Sequence, residues 1–190
     1  MKRRSFWCVL AILGWTTSAW CHLNSLSYST IEIKENEIRW ELRFTLLCTL
    51  ELFSVDLNND NFLSKEELEA AWPMMYYYLN NKIKVMEGGR QLKLTLRDIS
   101  FKVEADDSYT VFQLSYAIPQ KKSDQILLLC NVQEETDPYH RDLAEITLND
   151  DTYLFVFNNI NYFDTAHIPP HVQKVNKTIP SASETITKPE

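Results

Sequence analysis

The chain has 190 residues, three of them glycine, and a formal charge of −7 from 19 basic and 26 acidic side chains. That length allows one domain with a real core, and the acidic balance argues against nucleic acid or acidic membrane surfaces as partners. With so little glycine, no phosphate-cradling loop is present for kinase, P-loop or Rossmann chemistry.

The first 21 residues read as a signal peptide. Lys2-Arg3-Arg4 is a basic start, residues 6–15 are an apolar run too short to span a bilayer comfortably, and residues 16–21 are a cleavage zone. Cleavage before His22 places Ala19 and Cys21 at the minus-three and minus-one positions. Cleavage after Ala19 is the alternative, and bulky Trp20 argues against a lipid anchor on Cys21. Loss of Lys2, Arg3 and Arg4 takes the charge to about −10. The expected location is extracytoplasmic, periplasmic or secreted. No later apolar segment has bilayer length, so the exported chain reads as soluble.

The mature region opens with strand-like patterns. Leu26, Tyr28, Thr30, Ile31 and Ile33 form one run; Ile38, Trp40, Leu42 and Phe44 alternate with Arg39, Glu41 and Arg43 in the next. A short helix from Leu46 enters an acidic loop at residues 56–67. The exiting helix is expected to reach about Trp72, where Pro73 kinks it or begins a new turn. Strands resume with Ile83-Lys84-Val85, and Gly88-Gly89 signals a tight hairpin. Further strands are expected at 92–96, 100–105, 109–118, 126–132, 144–148 and 153–157. Many short strands separated by turns predict a mainly β chain, an immunoglobulin-like β-sandwich spanning 22–164. An EF-hand-like helix-loop-helix is inserted at about 46–82. The expected core is Trp40, Leu42, Phe44, Leu94, Phe112, Leu114, Leu127, Leu129 and Phe155. Residues 165–190 are polar and aperiodic, as in a disordered tail or linker.

The loop at 56–67 reads DLNNDNFLSKEE. Oxygen-bearing side chains fall at positions 1, 3, 5, 9 and 12: Asp56, Asn58, Asp60, Ser64 and Glu67. The carbonyl of Phe62 stands at position 7, and Glu67 is placed to offer two oxygens. This is the ligand order of an EF-hand, and calcium, a hard cation, takes six to eight oxygens. Asn61 replaces the usual glycine at position 6, a substitution that lowers affinity while keeping the turn accessible. The expected cofactor is therefore Ca2+. An acidic surface turn would share the composition but not the register.

Two cysteines, Cys48 and Cys130, remain in the mature region within apolar runs. Spacing leaves open whether they pair or stay as buried thiols.

Three segments resemble the extracytoplasmic N-terminal domain of HupE/UreJ-type hydrogenase/urease accessory proteins. They are His22 with residues 25–29, the strand–helix–loop at 38–68, and Asp137-Pro138-Tyr139-His140-Arg141-Asp142-Leu143 after a central strand. The resemblance covers most of 22–160. It implies an extracytoplasmic domain of that type, and the family's membrane helices have no counterpart in this sequence.

Other constellations read as structural. His140-Arg141-Asp142-Leu143 is similar to a kinase catalytic loop, but the asparagine such a loop requires is here Thr147. Asp137-Pro138 starts a turn that His140 and Arg141 hold with polar contacts. A free His22 amine and imidazole could chelate copper with His140, His167 or His171. Met74-Met75 and Tyr76-Tyr77-Tyr78 are either a partner-binding face or helix-to-sheet packing. The sequence thus predicts a non-enzymatic, exported calcium-binding module with a protein or membrane component as possible partner and no nucleic acid. The rival reading is an accessory domain handling a transition metal through His22 and other histidines. A hydrolase with a structural calcium is a further rival.

Overall fold

A computed structural model gives the fold of residues 26–60, 62–104, 107–118, 123, 125–168 and 172–175. The expected signal peptide at 1–21, His22, Asn61 and His171 lie outside the described residues.

The fold is mainly β, with two sheets packed as a sandwich. Its strands are β1 (Leu26–Ile33), β2 (Glu37–Thr45), β3 (Ile83–Glu87), β4 (Arg90–Gln91), β5 (Leu94–Glu104), β6 (Asp107–Ala117), β7 (Ile126–Cys130), β8 (Arg141–Leu148), β9 (Asp151–Phe157), β10 (Phe163–Asp164) and β11 (Gln173–Val175). Two helices, α1 (Leu46–Phe53) and α2 (Lys65–Lys82), stand between β2 and β3. The large sheet has the order β11-β9-β8-β1-β2-β6-β5, and the small one β10-β7-β3-β4. Neighbours are antiparallel except β1 and β8, which run parallel.

β2 forms as its alternation dictates: Ile38, Trp40, Leu42 and Phe44 are fully buried, and the residues between them lie on the outer face. Gly88 and Gly89, both at positive φ, make the two-residue turn between β3 and β4. The return strand then breaks. β4 is only two residues long, and Leu92 is buried where the chain crosses to the large sheet and becomes β5. Asn149 and Asp150, at φ 50° and 67°, form the two-residue turn between β8 and β9.

Four expectations are corrected. On β7 the buried residues are Ile126, Leu128 and Cys130, whereas Leu127 and Leu129 are only half-buried. The run is apolar throughout, so alternation could not give its phase. β1 forms as expected, and its phase, which the sequence leaves open, puts Ser27, Ser29, Ile31 and Ile33 inside and Tyr28 and Thr30 outside, because the serines meet buried polar partners. α2 does not stop near Trp72 but runs through Pro73 to Lys82. Pro73 is exposed, so water can serve the carbonyl that loses its amide partner. The stretch expected as a tail contains β11, which pairs with β9 from Gln173 to Val175; residues 176–190 lie outside the described ones.

The fourth correction concerns the helices. Phe53, Val55, Leu63, Leu68, Ala71, Met75 and Leu79 belong to the same buried cluster as Trp40, Phe112 and Leu128. The Phe53 ring lies 5.1 Å from Tyr78 and 6.3 Å from Phe112. Met75 and Leu79 are fully buried, worth about 1.5–3 kcal/mol each in transfer free energy. The helical segment is therefore part of the core, which the expected core set leaves out. Among the described residues no helix is long and apolar enough to cross a membrane.

Candidate metal centre in the 56–67 loop

The loop starts where α1 ends. Ser54 adopts the left-handed conformation, φ 46°, and its amide closes on the Leu50 carbonyl. Val55, just before the loop, and Leu63, within it, are buried and tie it to the core. The residues between them are largely exposed.

The oxygen donors are ordered by backbone amides. The Asp60 amide donates to Asp56 Oδ1 at 3.1 Å and to Asn58 Oδ1 at 2.9 Å. Asn58 Nδ2 donates to Asp60 Oδ2 at 3.0 Å, and the Phe62 amide to Asp60 Oδ1 at 2.9 Å. Asn59, at φ 59°, supplies the left-handed turn that lets the chain fold onto these oxygens. Glu67 reaches back across the loop. Its Oε1 accepts the Leu57 amide at 2.9 Å, and its Oε2 accepts the Ser64 amide and hydroxyl at 2.9 and 2.8 Å. The Ser64 backbone and side-chain donors hold the Glu67 carboxyl below the ordinary carboxylate value, helped by the amides of Leu57 and Asn58 and opposed by burial.

Ser64 and Glu67 also cap α2. The Ser64 hydroxyl accepts the Glu67 amide at 3.2 Å, and the Glu67 carboxylate accepts the Ser64 amide, which is a capping box. The signal for it, Ser64-Lys65-Glu66-Glu67, lies in plain view in the sequence beneath the calcium pattern. A cation at positions 9 and 12 would draw on the same oxygens that start the helix.

The structure thus links Asp56, Asn58 and Asp60 around one amide, and Ser64 and Glu67 around another. The Phe62 side chain is exposed. Among the described residues no three His, Cys, Asp or Glu side chains gather as a metal group. As donors the set fits a hard cation, with carboxylate, amide, hydroxyl and carbonyl oxygens and no nitrogen or sulfur.

Of the histidines expected for a transition metal, His140 and His167 are among the described residues. His140 is buried, with Nε2 3.0 Å from Ser27 Oγ. His167 is exposed, 3.4 Å from Asp164.

A second polar cluster escaped the sequence reading. Asp142 is buried between β1 and β7, accepting the Ser27 hydroxyl at 2.8 Å and the Ser29 hydroxyl at 2.7 Å. Trp40 Nε1 donates to Ser29 Oγ at 2.8 Å. The Cys130 thiol also bonds to Asp142. Desolvation by burial raises the Asp142 carboxyl above its ordinary value, with the serine and thiol donors opposing. Burial likewise raises the Cys130 thiol, and the neighbouring Asp142 adds to it. Serine, histidine and aspartate meet here in the wrong order for nucleophilic catalysis. Ser27 lies between the other two, donates to the carboxylate, and is fully buried. The hints in the sequence are the alternating serines of β1 and the polar run His140-Arg141-Asp142.

Cys48 and Cys130 are both buried free thiols. Met75 is fully buried and Tyr76 and Tyr78 pack partly against the core, while Met74 and Tyr77 are exposed.

No protein-family model matches the chain, and no curated protein matches it.

Proposed function

We propose that this chain is an exported calcium-binding module, non-enzymatic, that works by presenting its surface to a protein or membrane partner. The ion is held by Asp56, Asn58, Asp60, the Phe62 carbonyl, Ser64 and Glu67. The observation that supports the reading best is the reach of Glu67, the last residue of the loop, back to the amide of Leu57, the second. That reach brings the two ends of a twelve-residue oxygen-donor sequence together, as wrapping one ion requires. The leader-like residues 1–21 support export, and the resemblance to HupE/UreJ-type extracytoplasmic domains agrees with that location.

Calcium in this setting stabilises the fold, because the loop is anchored in the core at Val55 and Leu63 and an ion that binds only the folded chain adds to its stability. The test is a calorimetric titration with calcium and, separately, with copper. Calcium should bind with a dissociation constant on the order of 10⁻⁵–10⁻³ M, as in extracellular modules. No calcium heat in the millimolar range would remove the proposal. Tight copper binding lost on masking the His22 amine would favour the transition-metal reading in its place.

A further inference from the structure

β5 closes the large sheet on one side. β6 pairs with one row of its backbone groups, and among the described residues no strand pairs with the other row. The start of the strand is covered by α2, where the Tyr76 hydroxyl reaches the Leu94 carbonyl at 3.4 Å. The register then slips between Leu96 and Asp98. Beyond that bulge, residues 98–104 are exposed or half-buried. An open row of amides and carbonyls is a template for another strand.

We propose that this edge pairs with itself: two copies join β5 to β5, antiparallel, about a two-fold axis at Ser100. The large sheet then continues from one copy into the other. Three features of the strand select this partner and this register. Asp98, Ser100 and Lys102 share the outer face, and Ile99 and Phe101 the inner face, by the two-residue period. An axis at Ser100 sets Asp98 opposite Lys102 twice, and Ile99 opposite Phe101 twice. Every position from 98 to 102 then meets an acceptable partner, which is the unit of sheet stabilisation.

Other registers fail on the same residues. A slip of one residue puts outer-face positions opposite inner-face ones. A slip of two, with the axis at Phe101, sets Asp98 against Glu104. A slip of two the other way, with the axis at Ile99, sets Arg97 against Phe101 and draws the bulge into the ladder. A lysine on an edge strand normally deters pairing; here an aspartate four residues earlier meets it across the axis. Lys102 now lies 3.8 Å from Glu41, a long contact across β6 that leaves its donors able to serve a second carboxylate.

Sedimentation of the purified protein tests this. The wild type should form a dimer whose population rises with concentration. Lys102→Asp sets aspartate against aspartate, and Asp98→Lys sets lysine against lysine; each alone should weaken the dimer by at least about tenfold. An equimolar mixture of the two variants should dimerise again, because both cross-axis pairs become opposite in sign. Recovery on mixing also shows that both variants are folded. A wild type that stays monomeric to about 1 mM, variants that dimerise unchanged, or a mixture that stays monomeric would each overturn the proposal.

Discussion

The hydroxyl of Ser29 stands 2.7 Å from Asp142 Oδ2, and both groups are almost wholly removed from water. Burial raises this carboxyl above its ordinary value and so favours its protonated form, against the hydroxyl and thiol donors that favour the charged one. His140 and Cys130 are the other titratable groups at the cluster.

Stability should therefore depend on the protonation of Asp142. Its folded value is raised above the unfolded value of about 3.9, so the folded chain binds this proton more tightly. That contribution is complete below about pH 4 and is lost as pH rises through the folded value. Asp142→Asn keeps the shape and removes the charge. Relative to wild type, it should gain stability between about pH 4 and about pH 8. The gain is about 1.4 kcal/mol for every tenfold difference in proton affinity between the folded and unfolded chains. Denaturant titrations of both proteins at the two pH values measure the difference; equal changes with pH would assign the dependence to other groups.

Within the loop, Glu67→Gln should weaken calcium binding on the order of tenfold, and more than Asn58→Ala does. Glu67 offers two oxygens and a full charge, Asn58 one neutral oxygen. Calorimetry on both variants gives the ranking. Equal affinities would mean that the loop does not coordinate in this register.

Without calcium, Ser64→Ala should still lower stability by about 0.5–2 kcal/mol, because the hydroxyl caps α2 as well as facing the loop. Chemical denaturation in a chelator isolates this effect. No loss there would leave Ser64 with a metal role alone.

Leu128→Ala should cost about 2–5 kcal/mol, since Leu128 is fully buried. Leu127→Ala on the same strand should cost clearly less, because Leu127 is half-buried. Phe53→Ala should cost about 3–5 kcal/mol, placing α1 within the cooperative core. Hydrogen exchange should then show residues 46–82 and β7 losing protection together at the highest denaturant concentrations. Early, separate loss in the helices would make them an independent unit.

Cys48 and Cys130 should be inert toward thiol reagents in the native protein and react on unfolding. Both are buried, and burial keeps the Cys130 thiol protonated. A colorimetric thiol assay with and without denaturant checks this; a fast native reaction would show that one of them opens to solvent.

Local patterns in the sequence determined several parts of this protein. Ile38, Trp40, Leu42 and Phe44 point inward because a strand has two faces and these residues alternate. Gly88-Gly89 turns the chain because both positions need positive φ. The mainly β sandwich with helices between β2 and β3 followed from the same signals, and so did the oxygen-donor spacing at 56–67. Tertiary structure alone decided the rest. The 126–130 run carries no alternation, so only packing against the opposite sheet chose Leu128 over Leu127. Ser27 faces inward because its partner Asp142, 115 residues away in sequence, lies on a strand that runs parallel beside it. No local window contains that pairing. Likewise, only the strand order makes β5 the last described strand of the large sheet, beside β6. Strand order rests on contacts between distant segments, and hydrophobic periodicity reports only which face of one segment avoids water.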